Sequence, residues 1–285
     1  EMNERVIEVA VRKVHGVGGA PAKDALAVEE PLEIRIELLE SGRRAERVVA
    51  ITMRTPGDDF DLAAGYLFAE GVVRDPTAIA SIRHTGDTLR DGEFRSSVLV
   101  TLAEGADVDL SPLARMGLVS SSCGVCGKTS IDHIRARLPS PPRPGAPLLD
   151  AAVVHGLPTT LRAAQAVFDR TGGLHGAALF DPRGALLRFR EDVGRHNAVD
   201  KIVGAALTAG EIPLEQGVLF LSGRASFELV QKAAMAGIPI VAAVGAPSSL
   251  AVELALEADV TLLGFVRDGR FNVYSAAERI REAAS

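Results

Sequence analysis

The sequence predicts an α/β protein, α+β overall, built in two parts. Three observations predict it. After the proline at 158, short apolar runs alternate with helix-length segments, the rhythm of a largely parallel sheet covered by helices. Before residue 139, apolar residues alternate singly with charged ones, the pattern of half-buried strands, around a short helix. Between the two, Pro139-Ser140-Pro141-Pro142-Arg143-Pro144-Gly145 can neither continue a helix nor fill a strand ladder, and reads as a linker. The expected division is an N-terminal α+β domain over 1–138, a linker over 139–149 and an α/β domain over 150–285.

The elements follow in order. Residues 1 to about 26 read as a poorly patterned lead-in. Leu32, Ile34, Ile36 and Leu38 alternate with charged residues, which predicts a strand, and Arg47–Met53 its partner across Ser41-Gly42. Asp58 or Asp59 caps a helix through Leu67 that stops at Gly71. Val98–Leu102 predicts a further strand. Past the linker, Pro158–Arg170 reads as a helix stopped by Gly172-Gly173. Leu174–Phe180 and Ala185–Phe189 read as a hairpin, so the sheet is mixed. Helices over 194–208, 226–236 and 248–257 then alternate with strands over 217–222, 238–244, 260–266 and 270–274.

Composition narrows the function. Of 285 residues, 47% are hydrophobic, which supplies a core and excludes a disordered chain. The absence of Trp and the low aromatic content argue against single-strand binders that stack bases, and a net charge of -6 argues against a general nucleic-acid partner. No apolar run of about 18 residues appears, so no membrane span is expected. Glu1–Arg12 lacks the apolar stretch of a secretory signal, and the expected location is the cytoplasm. Two cysteines three positions apart make no disulfide framework, so both thiols are expected reduced.

Those thiols lie in Ser120-Ser121-Ser122-Cys123-Gly124-Val125-Cys126-Gly127-Lys128, ahead of the amphipathic Ile131–Leu138. Small residues leave the loop exposed. The helix N-terminus downstream and Lys128 both favour thiolate, the nucleophilic form. A thiolate can accept a sulfur atom and hold it as a persulfide. The same pair could be half of a zinc site, though zinc wants four ligands, or a dithiol redox pair. The pair by itself does not choose between redox and sulfur chemistry.

Four blocks give the chain a family resemblance. They are Thr55-Pro56-Gly57-Asp58-Asp59-Phe60-Asp61-Leu62-Ala63-Ala64-Gly65-Tyr66-Leu67 with Glu70-Gly71; Cys123-Gly124-Val125-Cys126-Gly127; Glu191-Asp192-Val193-Gly194-Arg195-His196-Asn197-Ala198-Val199-Asp200-Lys201; and Ser222-Gly223-Arg224-Ala225-Ser226-Phe227-Glu228-Leu229-Val230-Gln231-Lys232 onward through Gly237 to Ser248. In this order they resemble the formate dehydrogenase accessory sulfurtransferases, the FdhD family. The resemblance implies a sulfur carrier. It takes sulfur from a cysteine desulfurase as a persulfide on Cys123, assisted by Cys126. It passes that sulfur to the bis-molybdopterin guanine dinucleotide form of the molybdenum cofactor, before the cofactor enters formate dehydrogenase. It also implies a homodimer, and a C-terminal three-layer domain resembling the cytidine deaminase fold. The family's cofactor-binding stretch maps to Phe265, Val266, Arg267, Asp268, Gly269 and Arg270, with Asp268 where relatives can carry Pro.

Zinc chemistry of the deaminase kind is not expected. His175-Gly176-Ala177 lacks the glutamate of His-x-Glu, and Ser222-Gly223-Arg224 lacks the cysteine ligands. The nucleotide end of the cofactor needs oriented donors and positive charge. Ser222-Gly223-Arg224-Ala225-Ser226 follows a strand and opens a helix, and Ala246-Pro247-Ser248-Ser249 repeats the arrangement one unit later. Arg224 adds a forked donor, and guanosine diphosphate is the expected mimic. The plainer reading makes Ser226 and Ser248 helix caps. His196 beside Asp192 reads either as a proton-moving pair or as a hydrogen-bonded histidine beside a capping aspartate.

Overall fold

The computed structural model describes residues 5–40, 42–90, 94–111, 142 and 145–282. Cys123, Cys126 and most of the linker lie outside the described residues.

The chain opens on an antiparallel hairpin, β1 (Val6–His15) and β2 (Gly18–Ala27), which corrects the unpatterned lead-in. The ribbon touches the body at its base, where Val6 packs with Val167 and Leu174. Beyond that it meets no core among the described residues, so no burial there enforces strong alternation. Pro21 is tolerated because a two-stranded ribbon leaves its outer edge unpaired.

A four-stranded sheet follows, built from β3 (Glu30–Glu40), β4 (Arg43–Arg54), β5 (Ile79–Arg90) and β6 (Phe94–Leu102) in the order β4-β3-β6-β5. Leu32, Ile34 and Ile36 of β3 are fully buried on one face, as their alternation predicts. β5 went unread because Arg83, His84, Gly86 and Asp87 break its apolar pattern. Helix α1 (Asp59–Ala69) ends ahead of Gly71, whose φ of 73° closes it. Leu62, Ala63, Ala64, Gly65, Leu67 and Phe68 are all buried, so the helix is covered on more than one side.

The C-terminal part begins with α2 (Ala151–Ala164) and α3 (Ala166–Thr171). Pro158 lies inside α2 rather than opening it, which is why a proline-led start misplaced the boundary. Then come β8 (His175–Phe180), β9 (Leu186–Asp192), α4 (Arg195–Thr208), β10 (Val218–Leu221), α5 (Phe227–Met235), β11 (Ile240–Ala243), α6 (Ser249–Glu257), β12 (Thr261–Arg267) and β13 (Arg270–Ser275). A short parallel pair, β7 (Leu149–Asp150) and β14 (Ile280–Arg281), ties the start of this part to its end. The six-stranded sheet runs β13-β12-β11-β10-β8-β9, parallel through β10–β12 and antiparallel elsewhere.

Alternate residues of its strands serve two cores, which makes three layers. Phe180, Phe220, Ile240 and Leu263 face α2 through Val154, Leu157 and Leu161. Leu179, Leu219, Val241 and Leu262 face α4, α5 and α6. That second core continues without a break into Leu32, Ile34, Ile36 and α1.

The junction is a helix crossing of two glycines. A Cβ on Gly65 of α1 would lie 1.9 Å from the carbonyl oxygen of Asp200, and one on Gly204 of α4 would lie 1.8 Å from that of Asp61. The opposing atoms are backbone and cannot step aside. Gly204→Ala is therefore expected to destabilise the protein by about 3 kcal/mol or more. Gly156→Ala in α2, where an added Cβ meets nothing within 4 Å, is expected to be neutral or to stabilise by about 0.5 kcal/mol. Urea unfolding of the two variants checks both.

Candidate functional site at the carboxyl edge of the C-terminal sheet

The parallel strands β10, β11 and β12 end on the same edge at which antiparallel β8 begins. Their ladders run on past the strands. Ser222 N–H donates to Gly176 O at 2.9 Å, Gly245 N–H to Gly223 O at 2.9 Å and Phe265 N–H to Gly245 O at 3.1 Å. A Cβ on Gly245 would sit 3.0 Å from Gly223 O, so this close stacking of turns leaves a side chain little room there. The edge thus gathers Ser222, Arg224, Ser226, Ser248 and Phe265, with His175 and the start of α4 beside them.

Ser226 and Ser248 occupy equivalent places and behave differently. Ser248 Oγ accepts from Ala251 N–H at 3.2 Å and is a helix cap. Ser226 makes no such cap; its Oγ lies 3.2 Å from His196 Nε2. Glu228 Oε2 stands 3.7 Å from the same nitrogen. The imidazole of His196 beside it, with help from Ser226 and the helix N-terminus, holds the Glu228 carboxyl down at about 2. His175 is lowered by burial and then by the positive charge of Arg195 and His196. Arg195 carries a buried Nε without a hydrogen-bond partner among the described residues.

The remaining residues separate by orientation. Ser222 is turned inward, its Oγ accepting from Gly176 N–H at 2.8 Å. Arg224, Arg267 and Arg270 are exposed. Phe265 holds a φ of 55° at a bulge between β12 and β13, and the Arg267 guanidinium lies 5.9 Å from its ring centre. A bulky residue in that region of backbone space is unusual. Val266 places its side chain in the core facing α2, so the edge meets its main chain alone. Asp268 and Gly269 form a two-residue hairpin turn with φ of 53° and 69° between the paired Arg267 and Arg270. Proline, fixed near −65°, could not take the place of Asp268 in this turn.

Asp192 is engaged elsewhere than at His196. Its carboxylate accepts from Lys201 Nζ at 2.7 Å, Thr55 N–H at 3.1 Å, Gly194 N–H at 2.8 Å and Asn197 Nδ2 at 3.1 Å. Asp192 therefore neither pairs with His196 nor caps α4, whose N-cap position is Gly194 and which has no side-chain cap; the carboxylate beside His196 is Glu228. Sequence reasoning missed Glu228, Arg195 and the place of His175. The signal for Glu228 was its position two residues after Ser226, in the first turn of α5.

A second buried pair lies deeper. Lys232 Nζ reaches Asp200 at 2.7 Å and Glu70 at 4.0 Å, and sits 5.8 Å from the centre of the Tyr66 ring. Burial outweighs the lysine and pushes Asp200 up to about 6. Burial would lower Lys232, but Asp200 and Glu70 more than offset it and raise the ammonium above its ordinary value. Tyr66 is raised by burial and by both carboxylates. Among the described residues no cluster of three or more metal-ligating side chains occurs, and no helix is long and apolar enough to cross a membrane.

Fold and edge define an α/β protein whose basic, hydroxyl-bearing sheet end is tied to a smaller four-stranded sheet through buried polar contacts. The chain belongs to the FdhD/NarQ family, whose model matches residues 27–281. A sulfur carrier protein FdhD from Streptomyces avermitilis is 51% identical over 260 residues, 90% of this chain and 89% of that one. A sulfur carrier protein FdhD from Anaeromyxobacter dehalogenans is 50% identical over 281 residues, 95% and 93% of the two chains. The crystal structure of a candidate formate dehydrogenase accessory protein from Desulfotalea psychrophila superposes with a TM-score of 0.72 at 25% identity, covering 97% of this chain and 99% of that one.

The depressed Glu228 fixes a pH dependence. Its folded value of about 2 lies below the ordinary 4.5, so its stabilising contribution is complete above the ordinary value and is lost as pH falls toward the folded one. Wild type minus Glu228→Gln, measured by denaturant unfolding at a series of pH values, is expected to shrink steadily over that acid range.

Proposed function

We propose that this chain is a sulfur carrier that readies the molybdenum cofactor for formate dehydrogenase. The Cys123 thiolate attacks the terminal sulfur of a persulfide on a cysteine desulfurase. A new sulfur–sulfur bond forms on Cys123, the donor's sulfur–sulfur bond breaks, and the donor thiolate leaves. Cys126 assists the onward release. The receiving substrate is the bis-molybdopterin guanine dinucleotide cofactor. Its nucleotide end lies along the sheet edge, on Arg224, Ser226, His196, the Ser222 turn and the Phe265–Arg270 hairpin, with Val266 contributing main chain. Working as a homodimer, the carrier presents paired sites.

The observation that carries this reading is similarity at about half identity along nine tenths of both chains to sulfur carrier proteins, in a chain whose two cysteines are Cys123 and Cys126. The edge supports it independently. Arginine and histidine side chains, helix N-termini and an Arg195 Nε without a partner among the described residues are donors of the kind phosphate oxygens require.

A dithiol–disulfide oxidoreductase would use the same pair of thiols. Intact-mass spectrometry after incubation with a cysteine desulfurase and cysteine separates the two. The carrier gains the mass of one sulfur atom, Cys123→Ser gains nothing, and reductant removes the added mass. Loss of two hydrogens without any gain of sulfur would make the oxidoreductase reading the correct one.

A further inference from the structure

The third sequence block and the first meet in a buried cage around one residue. Thr55 stands 137 positions before Asp192 in the chain, yet every polar atom of Thr55 is held by the segment that leads from β9 into α4. Its N–H donates to Asp192 Oδ2 at 3.1 Å. Its carbonyl accepts from Lys201 Nζ at 2.9 Å. Its Oγ1 accepts from Val193 N–H at 3.1 Å. Thr55, Asp192 and Lys201 are all fully buried, and the Lys201–Asp192 contact is 2.7 Å. Next to it, Asn197 Nδ2 donates to Met53 O at 2.8 Å. The Val193-Gly194 turn, which directly precedes Arg195 and His196, is thereby set by a residue of the N-terminal part.

We propose that Thr55 is a positioning residue for the sheet-end site. Held in the Asp192–Lys201 cage, it fixes the turn that aims Arg195 and His196 at the ligand. The proposal rests on the reading of this edge as the nucleotide site. Three features support it. The Thr55 hydroxyl satisfies the N–H of Val193, two residues before Arg195, so its loss orphans a donor at the turn itself. Asp192 Oδ1 accepts from Gly194 N–H at 2.8 Å, one residue before Arg195. A Cβ on Gly194 would lie 2.9 Å from Asn197 Nδ2, so the turn has little room to relax.

The test uses the full chain and guanosine diphosphate as the probe. Thr55→Val keeps shape and removes the hydroxyl; Thr55→Ser keeps the hydroxyl; Leu157→Ala lowers stability from the opposite face of the sheet. Two quantities are read: guanosine diphosphate affinity by calorimetry, and the titration of the His196 ring by NMR over roughly pH 5 to 9. Thr55→Val is expected to lose about tenfold in affinity and to displace the His196 titration curve. Thr55→Ser is expected to match wild type in both. Leu157→Ala is expected to unfold at lower temperature with affinity and titration unchanged. If Thr55→Val does not fold, Thr55→Ala, which also removes the hydroxyl and leaves the main-chain contacts of Thr55 in place, is read the same way. Wild-type affinity and an unmoved His196 in the folded variant would overturn the proposal, as would equal losses in Leu157→Ala. A wild-type protein that does not bind guanosine diphosphate would instead sink the reading of the site, while the His196 titration would still decide the positioning role.

Discussion

The fully buried pair of Asp192 and Lys201 is the constraint on which the arrangement of this molecule depends. Two charges out of water are costly to bury. They persist where each is saturated with partners, and removing one partner leaves the other stranded. Here every partner has a structural consequence. The carboxylate accepts from Gly194 N–H in the turn into α4, the ammonium holds a carbonyl 146 residues earlier, and both close on Thr55. An apolar pair of equal volume could pack as well, but it would specify neither the register of α4 nor the path of Met53–Pro56.

The same logic repeats across the interface between the two sheets. Gly65 and Gly204 let the backbones of α1 and α4 touch. Lys232, Asp200, Glu70 and Tyr66 then fill the space beside that crossing with a charged cluster joining α1, α4 and α5. Because one hydrophobic core runs from β3 through these helices to the six-stranded sheet, the two parts are set in a fixed relation. The chemistry assigned to the edge therefore depends on residues well inside the protein. His196 reaches Ser226 and Glu228 from a helix whose first turn is anchored from below.

Much of this was legible in the sequence where burial acts on one pattern at a time. The alternation of Leu32, Ile34 and Ile36, the helix stop at Gly71 and the strand–helix alternation beyond 194 all carry local signals, and the structure follows them to within a residue or two. The β1–β2 ribbon was not legible, since among the described residues its base alone meets a core. β5 was hidden by its charged and glycine positions, and the first half of α2 by the rule against interior proline. At the site, the sequence marked Ser222, Arg224, Ser226, His196 and the 265–270 stretch, but it could not show how they divide. Ser226 and Ser248 look alike as letters, and one turns to a histidine while the other caps its helix. Likewise Asp192 beside His196 suggested a pair, whereas the nearer carboxylate, Glu228, comes from another helix. Such distinctions arise from contacts 30 to 137 residues apart, which no local pattern encodes.

The account holds that the edge built by the ends of β10, β11 and β12 receives the nucleotide end of the cofactor. A crystal structure of the protein grown with guanosine diphosphate tests this most directly. The account predicts the diphosphate between the Ser222–Ser226 turn and the start of α4, with a phosphate oxygen on Arg195 or Arg224 and the base toward the Phe265–Arg270 hairpin. Density for the nucleotide on the α2 face, or along the four-stranded sheet with this edge left untouched, would contradict it.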